Sequence, residues 1–413
     1  MRMRWVVVSL LFCATTINYL DRAILGVILP EIRDKFHFGL PVYGTIQMVF
    51  QLAYAGGSLL GGRLLDRYGT RIGYGLAAAV WSLAATLNAF AGSAFQFGVF
   101  RTVLGFGESA NFPACSKAAA EWFPPEERAT AMGIVNAGTN LANIFGPPLF
   151  ILIAFTWGWQ ACFAIMGGLG FLWLPLWFLS YRLPKQTGPA DLLGAKISIR
   201  EVMKYKQAWG YGLAKFLTDP VWWFYLFWLP TYLTDMRHFT PQQRGRALMI
   251  VYSISALGAL MGGVVSSFLM KRGWTVGKAR KMTLLFCAVV MPACTLGVVV
   301  QDARLAVLLF GLATAAHQAW MTNLFIMPAD VFPSRAVGSA NGFGVCLGGL
   351  GGALFSGIIP GTVIPHVGYV PVLMGMSCFY IVAWVIIHRM MGELEMVSLG
   401  TGNDPVASLE LAS

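Results

Sequence analysis

The sequence predicts an all-α integral membrane protein: twelve transmembrane helices in two six-helix bundles. Three observations predict it. Only 11% of the 413 residues are charged and 57% are hydrophobic, whereas an average soluble domain is roughly 25% charged. A water-facing surface cannot be covered with so few charges, and a disordered chain would have more. The second observation is a series of twelve apolar stretches, each near the roughly 20 residues that cross a hydrocarbon core as a helix. The third is a lopsided distribution of Lys and Arg between alternate loops.

The stretches lie near 5–29, 42–61, 72–91, 95–115, 129–153, 159–181, 208–234, 245–270, 282–300, 304–327, 336–359 and 368–390. All are expected to be helical, because a segment in lipid must satisfy its own backbone polar groups, and no ten-residue alternation of the barrel type occurs. With the N-terminus in the cytoplasm, twenty of the 29 basic residues fall on the cytoplasmic side and six (Arg33, Lys35, Arg237, Arg244, Arg246, Arg304) on the other, with Arg22, Arg101 and Lys215 inside spans. That asymmetry predicts both termini in the cytoplasm. It also accounts for the net charge of +11 through contact with anionic lipid headgroups, with no nucleic-acid partner. The apolar run after Arg2 and Arg4 continues past Asp21 and Arg22 without a small-residue cleavage site, so no cleaved leader is expected.

The longest loop, 182–207, contains Pro184, Gly188, Pro189 and Gly194 and then a basic stretch, and reads as a linker with an interfacial amphipathic helix. It separates an N-terminal bundle (1–181) from a C-terminal bundle (208–392), followed by a cytoplasmic tail (393–413). The seven cysteines form no C-x-x-C pair and lie in apolar surroundings, so neither disulfides, a metal nor a cofactor is expected. No nucleophile motif or metal-spaced cluster suggests an enzyme. A receptor would need a larger output domain than the tail offers.

The two halves carry a repeat. Gly61 and Gly62 precede the basic turn Arg63–Arg71, and Gly262 and Gly263 precede Lys271, Arg272 and Gly273. A repeat of this kind in a six-plus-six arrangement is expected of a transporter built from two related bundles. The first copy, Gly62-Arg63-Leu64-Leu65-Asp66-Arg67-Tyr68-Gly69-Thr70-Arg71, resembles the G-x-x-x-D-R-x-G-x-R signature of the major facilitator superfamily. A basic loop that served topology alone would need neither Asp66 nor fixed glycines. The resemblance implies a gating motif of Gly62, Asp66, Arg67, Gly69 and Arg71, in which Arg67 pairs across the bundles. Gly138 and Gly146-Pro147-Pro148 in span five look like the small-residue motif of the same family.

Charges at mid-bilayer are costly and are functional candidates by default. Six stand out: Asp21, Arg22, Arg101, Glu108, Lys215 and Asp219. Asn18 and Arg22 are one turn apart, and Arg101 and Glu108 about two turns, so each pair shares a helix face. Spans one and four each bring one acid and one base to the first half. An anion arriving at the Arg would release the carboxylate to take a proton, which couples the two; a buried structural ion network is the bland alternative.

Tyr19, Asp21 and Arg22 in span one, Arg101 and Glu108 in span four, and the following Ala110-Asn111-Phe112-Pro113 look like the anion:cation symporter branch of that superfamily. The branch includes sugar-acid/proton symporters and vesicular glutamate and sialic-acid transporters. The resemblance covers nearly the whole chain. It implies that Asp21 and Glu108 are protonation sites, that Arg101 pairs with the acids and relays coupling, that Arg22 holds a substrate carboxylate, and that Tyr19 and Tyr54 face the cavity. The run Lys215-Phe216-Leu217-Thr218-Asp219-Pro220-Val221-Trp222-Trp223 and the span-ten residues Ala316, His317, Gln318, Trp320 and Asn323 resemble hexuronate transporters. Lys215 stands where that pattern usually has Arg, and is expected to neutralise Asp219 four residues on, not to grip substrate.

Gln318 and Asn323 suit sugar hydroxyls, while His317 serves either the cavity or packing. Trp223 is the candidate stacking residue of the aromatic run 222–228, most of which is expected to face lipid or pack. Val345, with Asn341 one turn earlier, departs from the pattern of galactonate-type members. The expected protein is a monomeric, proton-coupled symporter of the cell (inner) membrane that imports a small sugar acid, best a hexuronate, by alternating access. The alternatives are a carrier of another organic anion (an aldonate, glucarate or an organophosphate) or a drug/proton antiporter.

Overall fold

The computed structural model describes residues 2–123, 125–182 and 198–397; the side chains at 2, 62, 63, 66, 120, 125, 126, 128–130, 334 and 335 lie outside the described residues. The described chain is helical almost throughout. In the first half, α1 (Arg2–Val27) is continued by the short α2 (Leu29–Phe36). The 49-residue α3 (Leu40–Asn88) supplies two crossings, because Gly69 breaks it at φ 75°, ψ 162°. A left-handed φ of this kind favours glycine, so the motif glycine marks the reversal. Next come α4 (Ala94–Glu108), α5 (Asn111–Trp122), α6 (Pro125–Trp157) and α7 (Trp159–Ser180).

The one described helical turn of the expected linker is α8 (Ile199–Val202), and the second half begins with α9 (Lys206–Asp235) and α10 (Pro241–Lys271). It continues with α11 (Val276–Thr295), α12 (Ala303–Leu324), α13 (Met327–Val331) and α14 (Ser334–Gly352). A π-helical turn, Ala353–Ile358, leads into α15 (Ile359–Val367), and α16 (Tyr369–Met390) ends the bundle. Consecutive short helices (α1 with α2, α4 with α5, α12 with α13, α14 with α15) form single columns, which gives the twelve membrane-crossing columns of the fold.

Eight helices among the described residues are long and apolar enough to cross a membrane by length and composition. The columns of α4 and α9 are not among them. They carry Arg101, Glu108, Lys215 and Asp219, and helices bearing such groups turn them toward other helices and away from lipid. Helix starts follow ordinary capping chemistry. Ser93 accepts from the Gln96 amide, and Thr240 and Gln243 form a reciprocal capping box.

The halves meet through small residues. A Cβ at Gly44 would meet the backbone of Gly357 and Gly361, one at Gly26 the carbonyl of Leu226, and one at Gly245 the Cα of Pro148. Such backbone approaches replace the hydrophobic effect as the glue between helices in lipid. At the α2 end the halves are also tied by charge. Arg33 donates two hydrogen bonds to Asp235, at 2.9 and 2.8 Å. Arg244, itself buried, donates to Glu31 at 2.5 Å and to Thr234 at 2.9 Å.

At the opposite end, ion pairs among the described residues stay within one half: Arg4 with Glu127 and Arg280 with Asp330. Glu121 accepts from Thr70 at 2.7 Å and from the Tyr181 hydroxyl, again within the first half. Among the described residues Arg67 makes no pair across the bundles, contrary to expectation. Arg67 lies over the Tyr68 ring at 5.5 Å, and Arg71 donates to the Phe178 carbonyl of its own half at 2.6 Å. The physical reason is that the halves are locked at the other end. Asp66 and Gly62 lie outside the described residues at the side-chain level.

The two ionic ties predict a measurable bias. The Arg33–Asp235 pair is about three-quarters buried, at 25% and 23% exposed, and in the second tie Glu31 is 33% exposed beside the buried Arg244, so each tie is worth about 1 kcal/mol. Asp235→Asn combined with Glu31→Gln is expected to shift the closed-to-open ratio at this end by up to ~30-fold. Spin labels at His37 and Thr240 would read this as a longer mean distance; an unchanged distribution would show that the ties do not hold the closure.

Candidate functional site

The site is built around Arg22, near the α2 end of α1. Its side chain is 1% exposed. Glu108, the last residue of α4, accepts from Arg22 Nε and Nη2 through Oε2, each at 2.9 Å. Asn18, one turn back on α1, accepts weakly from Nη2 at 3.4 Å. Aromatic rings surround the guanidinium: Tyr19 and Tyr54 at 4.7 Å, Trp223 at 4.9 Å and Phe50 at 5.7 Å from its carbon. When desolvated, each ring face is worth roughly 2 kcal/mol to a cation. Four helices therefore converge: α1 brings the charge and Tyr19, α3 brings Phe50 and Tyr54, α4 brings Glu108, and α9 of the other half brings Trp223.

The local sequence explains the approach of α4. A side chain at Gly105 would collide with the Phe50 carbonyl, and one at Gly107 would come within 2.9 Å of the Trp81 amide. Both glycines next to Glu108 are needed to bring α4 against α3 closely enough for the carboxylate to reach Arg22.

Arg101 is wholly buried, but it does not pair with the acids as expected. Its Nη1 donates to the backbone carbonyls of Asp21 (3.5 Å) and Arg22 (3.4 Å). Seven residues from Glu108, it meets the α1 backbone one level away from the ion pair, and the nearest acceptors there are carbonyls. Asp21 is left with both carboxylate oxygens buried and without a hydrogen-bond partner; Glu108 Oε1 is likewise unpartnered.

In the second half, Lys215 Nζ lies 2.8 Å from Asp219 Oδ2 and 4.3 Å from the Phe325 ring. Gly344 and Gly348 of α14 cover this pair, and a side chain at Gly348 would collide with Asp219. His317 stacks on Trp222, with ring centroids 5.3 Å apart and planes 10° apart, and bonds the Tyr380 hydroxyl. Neither Trp222 nor His317 is among the rings around Arg22.

Asn323 is used for packing instead of projecting an amide donor into the cavity: its Nδ2 donates to the carbonyls of Gly262 and Ala319, both at 3.0 Å, and ties α12 to α10. Gln318 is half-buried on the adjoining face of α12. The structure thus brings together Asn18, Tyr19, Arg22, Tyr54, Glu108 and Trp223, and leaves Gln318 and Asn323 outside that group. The aromatic run 222–228 takes the packing alternative. None of its rings faces lipid, since Trp222, Trp223, Phe224, Tyr225, Phe227 and Trp228 are all buried.

Three residues of α3 carry no expectation from the sequence: Phe50, which lies on the Arg22 guanidinium, and its helix neighbours Gln47 and Gln51. The two glutamines are wholly buried. The available signal was two amides one turn apart in an otherwise apolar span. As a whole the arrangement offers a fork-shaped cation for an oxyanion, aromatic faces for C–H surfaces, and carboxylates that compete with the oxyanion.

Known proteins bear on what such a site does. The Major Facilitator Superfamily profile matches residues 11–356. The chain is 26% identical to the hexuronate transporter of Escherichia coli (strain K12), over 98% of each protein. It is 31% identical to the hexuronate transporter of Bacillus subtilis (strain 168), over 68% of this chain and 69% of that one. Among solved structures it superposes on a D-xylose-proton symporter with a TM-score of 0.75 at 15% identity, covering 94% of this chain and 98% of the other. The chain belongs to the Major Facilitator Superfamily, and it is a multi-pass membrane transporter, not an enzyme.

Proposed function

We propose that the protein is a proton-coupled symporter that imports a small carboxylated sugar, a hexuronate such as glucuronate or galacturonate, across the cell (inner) membrane. The observation that carries this reading is the Arg22–Glu108 ion pair inside a ring of aromatic side chains drawn from both halves. A carboxylate entering this space competes with Glu108 for the same guanidinium fork. Protonation of Glu108 removes the competitor, so proton and anion bind together. Asp21, buried without a partner, suits a second proton carrier, and Arg101 on the α1 backbone passes the change between α4 and α1. The similarity to hexuronate transporters over nearly the full chain supports a sugar acid as the cargo.

The helices 1–181 and 208–392 act as two bodies rocking about this site, with both termini cytoplasmic. Closure at the α2 end then corresponds to the outer side, and the Gly62–Arg71 motif closes the inner side in the other state. A single chain holds both halves of the site, so a monomer suffices. Carriage of a different organic anion would use the same Arg22 fork, and the order of competition decides between cargoes. Export of an apolar drug is disfavoured by two buried arginines in the first half.

The test is uptake of labelled glucuronate by proteoliposomes under an inward proton gradient without sodium, competed by galacturonate, galactonate and glucarate. Accumulation that collapses with a protonophore is expected, and uptake should fall as external pH rises because fewer protons accompany the substrate. Accumulation that persists with no proton gradient would sink the coupling.

Two variants separate the roles. Glu108→Gln is expected to lose proton-driven accumulation and its pH dependence while retaining counterflow exchange; full accumulation in this variant would refute the role given to Glu108. Arg22→Lys keeps the charge but loses the fork, and is expected to weaken sugar-acid binding by about tenfold or more, measured as the half-saturating concentration in exchange.

A further inference from the structure

Gln51 is a polar group of the central region that the mechanism above does not use, and the one that adjoins Trp223. It is wholly buried on α3, and neither its Oε1 nor its Nε2 has a hydrogen-bond partner. Gln47, one turn earlier, is equally buried beside Tyr43. A structural amide in a helix interface is normally satisfied, because an unpaired one loses its hydration for nothing. Gln51 is therefore out of place as a packing residue.

Its position is specific. The point where a Cβ would stand on Gly352 of α14 is 3.0 Å from Gln51 Nε2 and 3.2 Å from Trp223 Cδ1. The Trp223 ring in turn lies 4.9 Å from the Arg22 guanidinium. Gln51 comes from the first half, and Gly352 and Trp223 from the second. The amide and the cation thus both neighbour Trp223, and the absence of a side chain at Gly352 lets α14 close against Gln51 and Trp223.

We propose that Gln51 is a specificity-determining residue that reads a hydroxyl group of the transported sugar acid while Arg22 holds the carboxylate. The inference rests on the sugar-acid reading above. An amide has both a donor and an acceptor, and so matches a hydroxyl, which is both as well. A carboxylate without hydroxyls gains nothing from Gln51. The amide sets which hydroxylated chain is accepted, and Trp223 supplies the apolar face for the C–H side of the same chain.

The experiment is glucuronate exchange in proteoliposomes, competed by its 2-, 3- and 4-deoxy analogues. The wild type is expected to prefer glucuronate over one of these by at least ~10-fold, since a site built to bond a hydroxyl rejects the analogue lacking it. In Gln51→Leu and in Gln51→Asn, that ratio is expected to fall toward one for the same analogue. Maximal exchange rate and the pH profile of uptake should stay as in the wild type, which a general packing defect would not allow. The Asn variant keeps an amide one methylene short, so it tests the assignment even if Leu prevents folding. A preference unchanged in either variant that transports would overturn the assignment, and so would a wild type that does not distinguish glucuronate from any of its deoxy analogues. No uptake of any sugar acid by the wild type would overturn the functional reading, and this inference with it.

Discussion

The structure depends on holding the Arg22 guanidinium and the Glu108 carboxylate together away from water. Each ion loses several kcal/mol of hydration on burial, and one contact with a single carboxylate oxygen does not restore it. The remaining stabilisation comes from the rings. Tyr19, Tyr54, Phe50 and Trp223 present ring faces to the cation, and these faces attract it without using its hydrogen-bond donors. Such a pair is stable enough to persist and poorly enough satisfied to exchange partners. Glu108 keeps one oxygen free, and Arg22 has a weak third contact in Asn18 at 3.4 Å. A pair with every donor and acceptor filled would hold the helices and bind nothing.

The rings around Arg22 also join the halves. Three belong to α1 and α3, and the fourth, Trp223, to α9. α14 packs by Gly349 against Ala55 and by Gly352 beside Gln51. Separation of the halves at this level removes Trp223 from the cation and α14 from Gln51 in one movement. The state of the charge pair and the relative position of the halves are therefore linked by geometry. Small residues along α3 and α14 leave the contact without interlocking side chains, so the surfaces can part and rejoin. At the α2 end the Arg33–Asp235 tie is partly exposed on both sides and the Glu31 carboxylate of the other is a third exposed, so water can take over these partners when the halves part.

Much of this was legible in the chain itself. Twelve apolar stretches and the six intramembrane charges are properties of composition and spacing, and a period of 3.6 residues puts Asn18 with Arg22 and Arg101 with Glu108. The partner choice was not legible, because it depends on how α4 is rotated against α1. One rotation gives Arg101 a carboxylate; the one adopted gives it two carbonyls and gives Glu108 to Arg22. Asn323 shows the same limit, since an amide inside a membrane helix serves a ligand or a neighbouring backbone equally well until the neighbour is known. Arg33 and Asp235 are 202 positions apart, and in sequence each was only a loop charge. Gln51 escaped notice because attention to charge passes over neutral amides, although an amide in an apolar span carries the same kind of cost.

The two buried pairs differ in a way that divides the work between the halves. Lys215 and Asp219 are four residues apart on one helix, so they travel together whatever the halves do. Their mutual neutralisation survives any rigid-body movement, and the cover of Gly344 and Gly348 keeps it. Arg22 and Glu108 are 86 residues apart on two helices, so any shift of α1 against α4, or any anion between them, changes the charge each one sees. A pair confined to one helix makes a charge tolerable, whereas a pair shared between helices makes it responsive. On the proposed function, that difference gives the second half a fixed wall, with Trp223 as its face toward Arg22, and leaves the exchange of partners to the first half.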